Sequence, residues 1–273
     1  MNGTDSIPAD SHTHSSQSPD GENTVREMAE RAAELGIKHY TVTDHLEINK
    51  FYDEEFLYEE PVRQSSLILP PLIEEFKDKL DLHYGVELGQ PLHDMELTER
   101  MLKSYDYEFI IGSCHMVRGW DDFYYLDYQK VDPQYLLKLY FEELLEMAEW
   151  GKFNVLGHLT YPLRYIEGDF GIKIDMNRYK AVIEEIFKTL IRNGMGIEIN
   201  TSGLRQKIGA AMPDERYVKM YRELGGEIIT VGSDAHCVGD LGKGIAEGIK
   251  IAKICGFDKI YYYDHGKPVS ISI

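Results

Sequence analysis

The chain has 273 residues and a formal net charge of −18 at pH 7, which is enough length for one large α/β domain spanning residues 1–273. The negative charge argues against nucleic acid or an anionic membrane as the main partner, because both bind basic surfaces. The N-terminus lacks the basic and apolar pattern of a secretory signal, so we expect a cytoplasmic protein that acts on a small molecule.

Short apolar runs rich in β-branched and aromatic residues alternate with longer helical patterns along the chain. In chain order, the pattern predicts strand 7–14, helix 24–35, strand 38–43, helix 62–79, strands 82–88 and 107–112, helix 133–150, strand 154–156, helix 176–192, strand 196–200, helix 214–224, strand 227–232 and helix 241–255. Such alternation predicts seven parallel strands joined by right-handed crossovers. Residues 259–273 are expected to add a final hairpin or to cap the barrel end.

Histidine and acidic residues cluster where most of these strands end. Two such residues at i and i+2 in an extended segment point to the same face, as in His12-Thr13-His14. Side chains from the first and last strands can share one site only if the sheet closes, or nearly closes, into a barrel, whose active site lies at the carboxyl ends of the strands. The candidate metal ligands are His12, His14, Asp20, His45, Glu87, His115, His158, Asp234 and His236.

This set has more nitrogen and oxygen ligands than one ion accepts, so two or three divalent ions are implied. Such a site attracts a phosphate dianion and lowers the pKa of a bound water, which favours hydrolysis of a phosphate ester. Arg164 and Arg205 follow the fifth and sixth strands and are expected to bind phosphate oxygens in a bidentate fork. Either arginine could instead pair with a surface carboxylate.

Other residues near these motifs are expected to have structural roles. Asp44 points away from His45 by strand alternation, so we interpret it as a packing or supporting residue. Four further histidines fall outside the pattern and are expected to be solvated or structural: His39, His83, His93 and His265. The long segments 47–61 and 116–132 could be lids over the site or a subunit interface.

In their order and identity, these motifs resemble the PHP family, and the resemblance extends from His12 to His236. It implies a distorted (β/α)7 barrel with a trinuclear metal site. Within the family, the segment from Asp10 to Gly21, the Arg164-Tyr165 pair and the segment from Asn200 to Arg205 are most similar to the monofunctional L-histidinol-phosphate phosphatase branch, which acts in histidine biosynthesis.

The resemblance also implies how the ligands are divided. His12, His14, Glu87 and Asp234 would hold one ion, Asp20, His45 and His236 a second, and Glu87, His115 and His158 a third, with Glu87 as the bridge. Position 20 is a histidine in some relatives, and aspartate here leaves the metal open among zinc, manganese and iron.

The implied reaction is attack of a metal-activated hydroxide on L-histidinol phosphate, with Arg164 and Arg205 on the phosphate. Asp234, or a water held near it, is the candidate proton donor. Acidic residues in the loops are candidates for contacting the leaving group: Glu47, Asp121, Asp122 and Glu167. Two alternatives remain open. The substrate could be a nucleotide, a sugar phosphate or a phosphotyrosine peptide, or the chain could be a noncatalytic PHP module.

Overall fold

The strands form one parallel sheet in the computed structural model, which describes residues 7–48 and 56–273. The strands are β1 (Ala9–Asp10), β2 (His39–Val42), β3 (His45–Glu47), β4 (Asp81–Gly89), β5 (Phe109–Ser113), β6 (Val155–Leu156), β7 (Gly196–Asn200) and β8 (Ile229–Gly232). Their order in the sheet follows the chain, except that β2 and β3 both pair with β4. β2 pairs with the first half of β4 and β3 with the second half, so they act as one interrupted strand.

Backbone hydrogen bonds bring the first strand of the sheet against the last. The Ser11 amide donates to the Val231 carbonyl at 3.1 Å, and the Asp234 amide donates to the His12 carbonyl at 2.8 Å. A parallel bridge joins Thr13 to Ala235 just beyond the strand ends. The sheet is therefore a nearly closed barrel with seven strand positions, and the predicted (β/α)7 fold is confirmed.

Helices connect most of the strands and surround the barrel. They are α1 (Val25–Glu34), α2 (Phe56–Phe76), α3 (Met95–Ser104), α4 (Pro133–Trp150), α5 (Lys180–Arg192), α6 (Glu215–Glu223) and α7 (Ile245–Ile254). Local sequence explains the ends of α1 and α4. Thr24 and Glu27 form a capping box at the start of α1, whereas α4 begins with a proline and is followed by Gly151 with φ of 68°. Helix α3 is short and polar, and the sequence pattern did not predict it.

The C-terminal segment adds a hairpin outside the barrel sheet, and a final hairpin was the first of the two alternatives expected from sequence. It consists of β9 (Lys259–Asp264) and β10 (Lys267–Ser272), which pair antiparallel. Tyr263 stacks on Phe109 with ring centroids 4.9 Å apart, and the Gly266 amide donates to the Glu108 carbonyl at 3.0 Å. The hairpin therefore packs against the amino-terminal end of β5.

Of the two segments predicted as lids or subunit interfaces, 47–61 is described in part and 116–132 throughout. Residues 49–55 of the segment 47–61 lie outside the described residues, whereas residue 47 ends β3 and residues 56–61 begin α2. Residues 116–132 form turns in which Phe123 and Tyr128 are buried, while Tyr124 and Tyr125 are exposed. Within the described ranges, no helix is long and apolar enough to cross a membrane.

Candidate metal centre

All nine predicted ligands meet at the carboxyl-terminal end of the barrel. The first group lies where β1 and β8 close the sheet. His12 Nε2 and His14 Nε2 are 3.1 Å apart, and each lies within 3.4 Å of Glu87 Oε2. Asp234 Oδ1 is 3.3 Å from His14 Nε2. Two nitrogens and two carboxylate oxygens thus surround one point in a fully buried part of the site.

The second predicted group lies beside the first and opens towards solvent. Asp20 Oδ2 is 3.2 Å from His236 Nε2, and Asp20 Oδ1 is 3.6 Å from His45 Nε2. The ring of His14 stacks against both histidines, with centroids 4.2 Å away in each case. The Asp20 side chain is 61% exposed, so an incoming small molecule can reach this side of the cluster.

The third predicted group shares Glu87 with the first. Glu87 Oε1 lies 2.8 Å from His158 Nε2 and 3.2 Å from His115 Nε2, and the two histidine nitrogens are 3.3 Å apart. The other oxygen, Oε2, faces His12 and His14. One buried carboxylate therefore contacts both groups, which is the geometry that a bridging ligand requires.

The protonation of these histidines fits a cation site. His12 Nδ1 lies 2.7 Å from Glu198 Oε1, which can only accept a hydrogen bond, so Nδ1 carries a proton and Nε2 is the nitrogen that faces the cluster and would bind an ion. Burial, together with repulsion by His45 and His236, lowers the pKa of His14 to about 3, so this ring is neutral at pH 7. Lone pairs and carboxylate oxygens this close together require a proton or a metal ion between them.

Without a metal ion, the remaining histidines compete for protons. Burial disfavours the charged form of His115, yet Glu47 and Glu87 raise its pKa to about 10. At His12, burial also disfavours the charged form, but Glu198, Glu87 and Asp234 outweigh this effect and raise the pKa of the ring well above its ordinary value. The cluster thus holds positive charge among its carboxylates, which is the charge that divalent ions would supply.

Supporting residues that the sequence analysis missed hold the ligands in place. Glu198, on β7, accepts from His12 Nδ1 and also from the His158 amide at 3.0 Å. Glu47 Oε1 lies 2.9 Å from His115 Nδ1, and Gln90 Oε1 accepts from the His115 amide at 2.7 Å. Glu198 had a detectable signal, since it is a charged residue between two isoleucines in a buried strand.

Asp44 faces away from the cluster, as strand alternation predicted, and it holds the loop that follows β1. Its carboxylate accepts from the Ser15 amide at 2.6 Å and from the hydroxyls of Ser18 at 2.9 Å and Ser65 at 3.1 Å. The Ser18 hydroxyl also lies 3.1 Å from His14 Nδ1. Asp44 therefore orders the segment that carries His14 and leads to Asp20.

The two predicted arginines lie at the rim of the cluster in different settings. Arg164 begins a π-helical segment (Arg164–Asp169), and its guanidinium lies 5.1 Å from the centre of the Tyr161 ring. Arg205 donates from Nη2 to the Ser233 carbonyl at 2.9 Å, and its Nε lies 3.4 Å from Asp240 Oδ2. Arg205 thus supports the loop of Asp234, and phosphate binding by either arginine stays a prediction.

The parallel barrel and the histidine and carboxylate cluster at its carboxyl-terminal end define a metal-binding barrel protein. Comparison with known proteins gives the family. The PHP domain family matches residues 10–202, and the chain belongs to this family. Members of the family depend on metal ions, and the fold and donor set described above agree with that.

Two relatives and one solved structure are similar to this chain over most of its length. The chain is 32% identical over 249 residues to a protein of Thermotoga maritima named "Probable histidinol-phosphatase", covering 91% of this chain and 93% of that one. It is 27% identical to the "Histidinol-phosphatase" of Lactococcus lactis subsp. lactis, covering 83% of each. The crystal structure of histidinol phosphate phosphatase from that organism, complexed with zinc, L-histidinol and phosphate, has the same fold with a TM-score of 0.81. It shares 22% sequence identity, over 96% of this chain and 99% of that one.

Proposed function

We propose that this chain is a phosphoric monoester hydrolase that converts L-histidinol phosphate to L-histidinol and phosphate in histidine biosynthesis, and that residues 1–273 form one PHP-type domain. The observation that carries the proposal is the match along nearly the whole chain to relatives named as histidinol-phosphatases. The site agrees with it, because the cluster combines a metal-binding donor set with arginines at its rim.

Two to three divalent ions, of zinc, manganese or iron, would be held by the three groups of the cluster. His12, His14, Glu87 and Asp234 would hold one ion. Asp20, His45 and His236 would hold the second, and Glu87, His115 and His158 the third. Bound ions of this kind neutralise phosphate charge and lower the pKa of water, which supplies a hydroxide nucleophile near neutral pH.

The side chains around the cluster would orient the ester. Arg164 and Arg205 would bind the outer phosphate oxygens, since a guanidinium matches two oxygens of a phosphate. Asp234 has a pKa well below its usual range, because His12 and His14 outweigh the effect of its burial. It is therefore ionised, and the proton for the leaving alkoxide would come from a water that this carboxylate holds.

Two of the four acidic loop residues that the sequence suggested for contacting the leaving group have partners within the protein. Glu47 is engaged with His115, and Glu167 accepts from the Ile174 amide at 3.0 Å. Burial raises the pKa of Asp122, and its charge acts on His115 and on the tyrosines beside Arg164. We expect Asp122 to bind the ammonium group of histidinol, because its carboxylate lies close enough to the site to act on His115 and on Tyr161 and Tyr165.

The test is phosphate release from L-histidinol phosphate beside nucleotide, sugar and tyrosine phosphates, using enzyme of measured metal content. We expect kcat/KM for histidinol phosphate to exceed that for every other ester at least tenfold, with two to three metal ions bound per chain. Comparable weak rates for all esters from fully metallated enzyme would refute the substrate while keeping the phosphoesterase. No hydrolysis of any ester would support the noncatalytic module.

A further inference from the structure

A second group of histidine and carboxylate side chains lies at the opposite end of the barrel from the cluster described above. His39 begins β2, Asp81 begins β4, and the two residues are partners in the parallel register. His83 follows Asp81 by two positions on the same strand, so both side chains point to one face. One ligand atom from each of these three residues lies within 4.8 Å of the others.

Both imidazole rings converge on one carboxylate oxygen. His39 Nδ1 is 2.7 Å from Asp81 Oδ2, and His83 Nε2 is 3.1 Å from the same oxygen. His83 is only 4% exposed, whereas the Asp81 side chain is half exposed. The arrangement thus has two ring nitrogens and a carboxylate oxygen facing a common point with one side open to water.

The protonation of His83 explains why this point suits a cation. Its Nδ1 lies 3.0 Å from Glu108 Oε2, and a carboxylate can only accept, so Nδ1 carries a proton and Nε2 is the nitrogen that faces Asp81. The buried Nε2 makes no hydrogen bond of good geometry to residues 7–48 and 56–273, although Asp81 Oδ2 lies 3.1 Å away. Burial disfavours the charged ring, yet Glu108 and Asp81 raise the pKa of His83, so without a metal ion Nε2 would hold a proton, and a divalent cation would take the place of that proton.

The surroundings fix the rings in this orientation. Glu108 is itself held, because its Oε1 accepts from the Tyr84 amide at 3.2 Å. Tyr262 of the C-terminal hairpin stacks on His39 with centroids 3.8 Å apart and planes 17° apart. A carboxylate that holds the far nitrogen of a histidine is the usual support for a metal-binding imidazole. Glu108 supports His83 in this way, through Nδ1.

We propose that His39, Asp81 and His83 form a further binding site for a divalent transition-metal ion of the zinc class, with Glu108 orienting His83 and water completing the coordination. Two imidazoles and one carboxylate are a donor set that such ions favour. The ion would cross-link β2 and β4 beneath the hairpin. This site is separate from the phosphatase cluster and does not depend on the proposed function.

The experiment compares the zinc content of the wild-type enzyme and two variants after saturation with Zn²⁺ and removal of free ion. Asp81→Asn removes the charged ligand at a half-exposed position, and His83→Gln removes the buried nitrogen while keeping a group that can donate to Glu108. The matched control is His265→Gln, which changes a histidine that is 87% exposed in the adjacent hairpin turn. Hydrolysis of histidinol phosphate and the circular dichroism spectrum are measured in parallel.

We expect each variant to bind one zinc ion fewer per chain than wild type, with turnover and spectrum unchanged, and the control to bind the full number. In Co²⁺-loaded protein, the same variants should lose part of the visible absorption of the ion. Equal zinc content in the wild type and in a folded Asp81→Asn variant would overturn the proposal and leave a doubly protonated His83 between Glu108 and Asp81. Loss of zinc together with activity would also overturn it, because the missing ion would then belong to the catalytic cluster.

Discussion

Glu198 holds His12 through a hydrogen bond of 2.7 Å between Oε1 and Nδ1, and both side chains are fully buried. The other oxygen of Glu198 accepts from the His158 amide at 3.0 Å. One carboxylate on β7 therefore positions two predicted ligands that lie on opposite sides of Glu87. It also fixes the tautomer of His12, so that Nε2 is the nitrogen free to bind a metal ion.

Glu198→Gln should weaken metal binding by about 10- to 100-fold, because a glutamine orients His12 with a weaker acceptor and turns an amide group towards the His158 N–H. Chelator competition with Zn²⁺ would measure the change in dissociation constant. Glu227→Gln, at an exposed position just before β8, is the control and should bind zinc as the wild type does. An unchanged dissociation constant in Glu198→Gln would show that His12 needs no such support.

Much of this arrangement could be predicted from sequence, because a strand end marked by histidine or aspartate is a local pattern. Helix α4 was predicted with its observed bounds, and its first residue is the proline expected at a helix start. Glu198 and Glu47 were not identified as supports, because their partners are distant in sequence and a single carboxylate does not reveal which ring it will contact. Helix α3 was missed because its apolar face is narrow, with Thr98 and Met101 as its buried residues.

Metal binding at pH 7 should release protons. In the metal-free protein the pKa of His115 is about 10, since Glu47 and Glu87 outweigh the effect of its burial, so this ring is protonated at neutral pH. His14, with a pKa of about 3, carries no extra proton to release. Because ions displace the protons, the apparent affinity should increase as pH rises towards about 10.

Isothermal titration of metal-free protein with Zn²⁺ in buffers of different ionisation enthalpy would count the released protons. The expected number at pH 7 is at least one per chain, because His115 is fully protonated at that pH. The same binding heat in every buffer would mean that the histidines are already neutral before the ion arrives.

Arg164→Lys should lower kcat/KM by about 100-fold while leaving the metal content intact, because lysine keeps the charge but loses the two-pronged contact with phosphate. The guanidinium lies over Tyr161 and Tyr165, and no predicted ligand is hydrogen-bonded to it. Arg216→Lys is a matched control, since Arg216 also lies over a tyrosine, Tyr217, at 4.4 Å. Wild-type kinetics in Arg164→Lys would remove this residue from phosphate binding.

His158→Asn should cost about one metal equivalent per chain, because this ring and His115 are the two nitrogens of the third group. Elemental analysis of purified protein measures the loss. His93→Asn is the control: the His93 side chain is also only 5% exposed, but it pairs with Glu143 at 2.6 Å and is not a predicted ligand. Full metal occupancy in the His158 variant would show that the third ion lies elsewhere or does not bind.

Gly232 lets the barrel close tightly enough to form the first group. A Cβ atom at this position would lie 2.3 Å from the Cβ of His12 and 2.6 Å from Glu198 Oε1, distances at which one of the two must move. Gly232→Ala should therefore lower the free energy of unfolding by about 1–3 kcal/mol, as overpacked sites do. It should also reduce zinc affinity, since the displaced residues are the predicted ligand His12 and its support.

Thermal unfolding and zinc titration of Gly232→Ala would test both effects. Gly239→Ala is the control in the same region, because its added Cβ would meet Cys237 Sγ at an ordinary 3.6 Å. We expect that variant to keep the wild-type unfolding temperature and zinc affinity. Loss of stability without any change in zinc affinity would mean that the barrel absorbs the strain away from His12, and that the cluster tolerates movement where β1 meets β8.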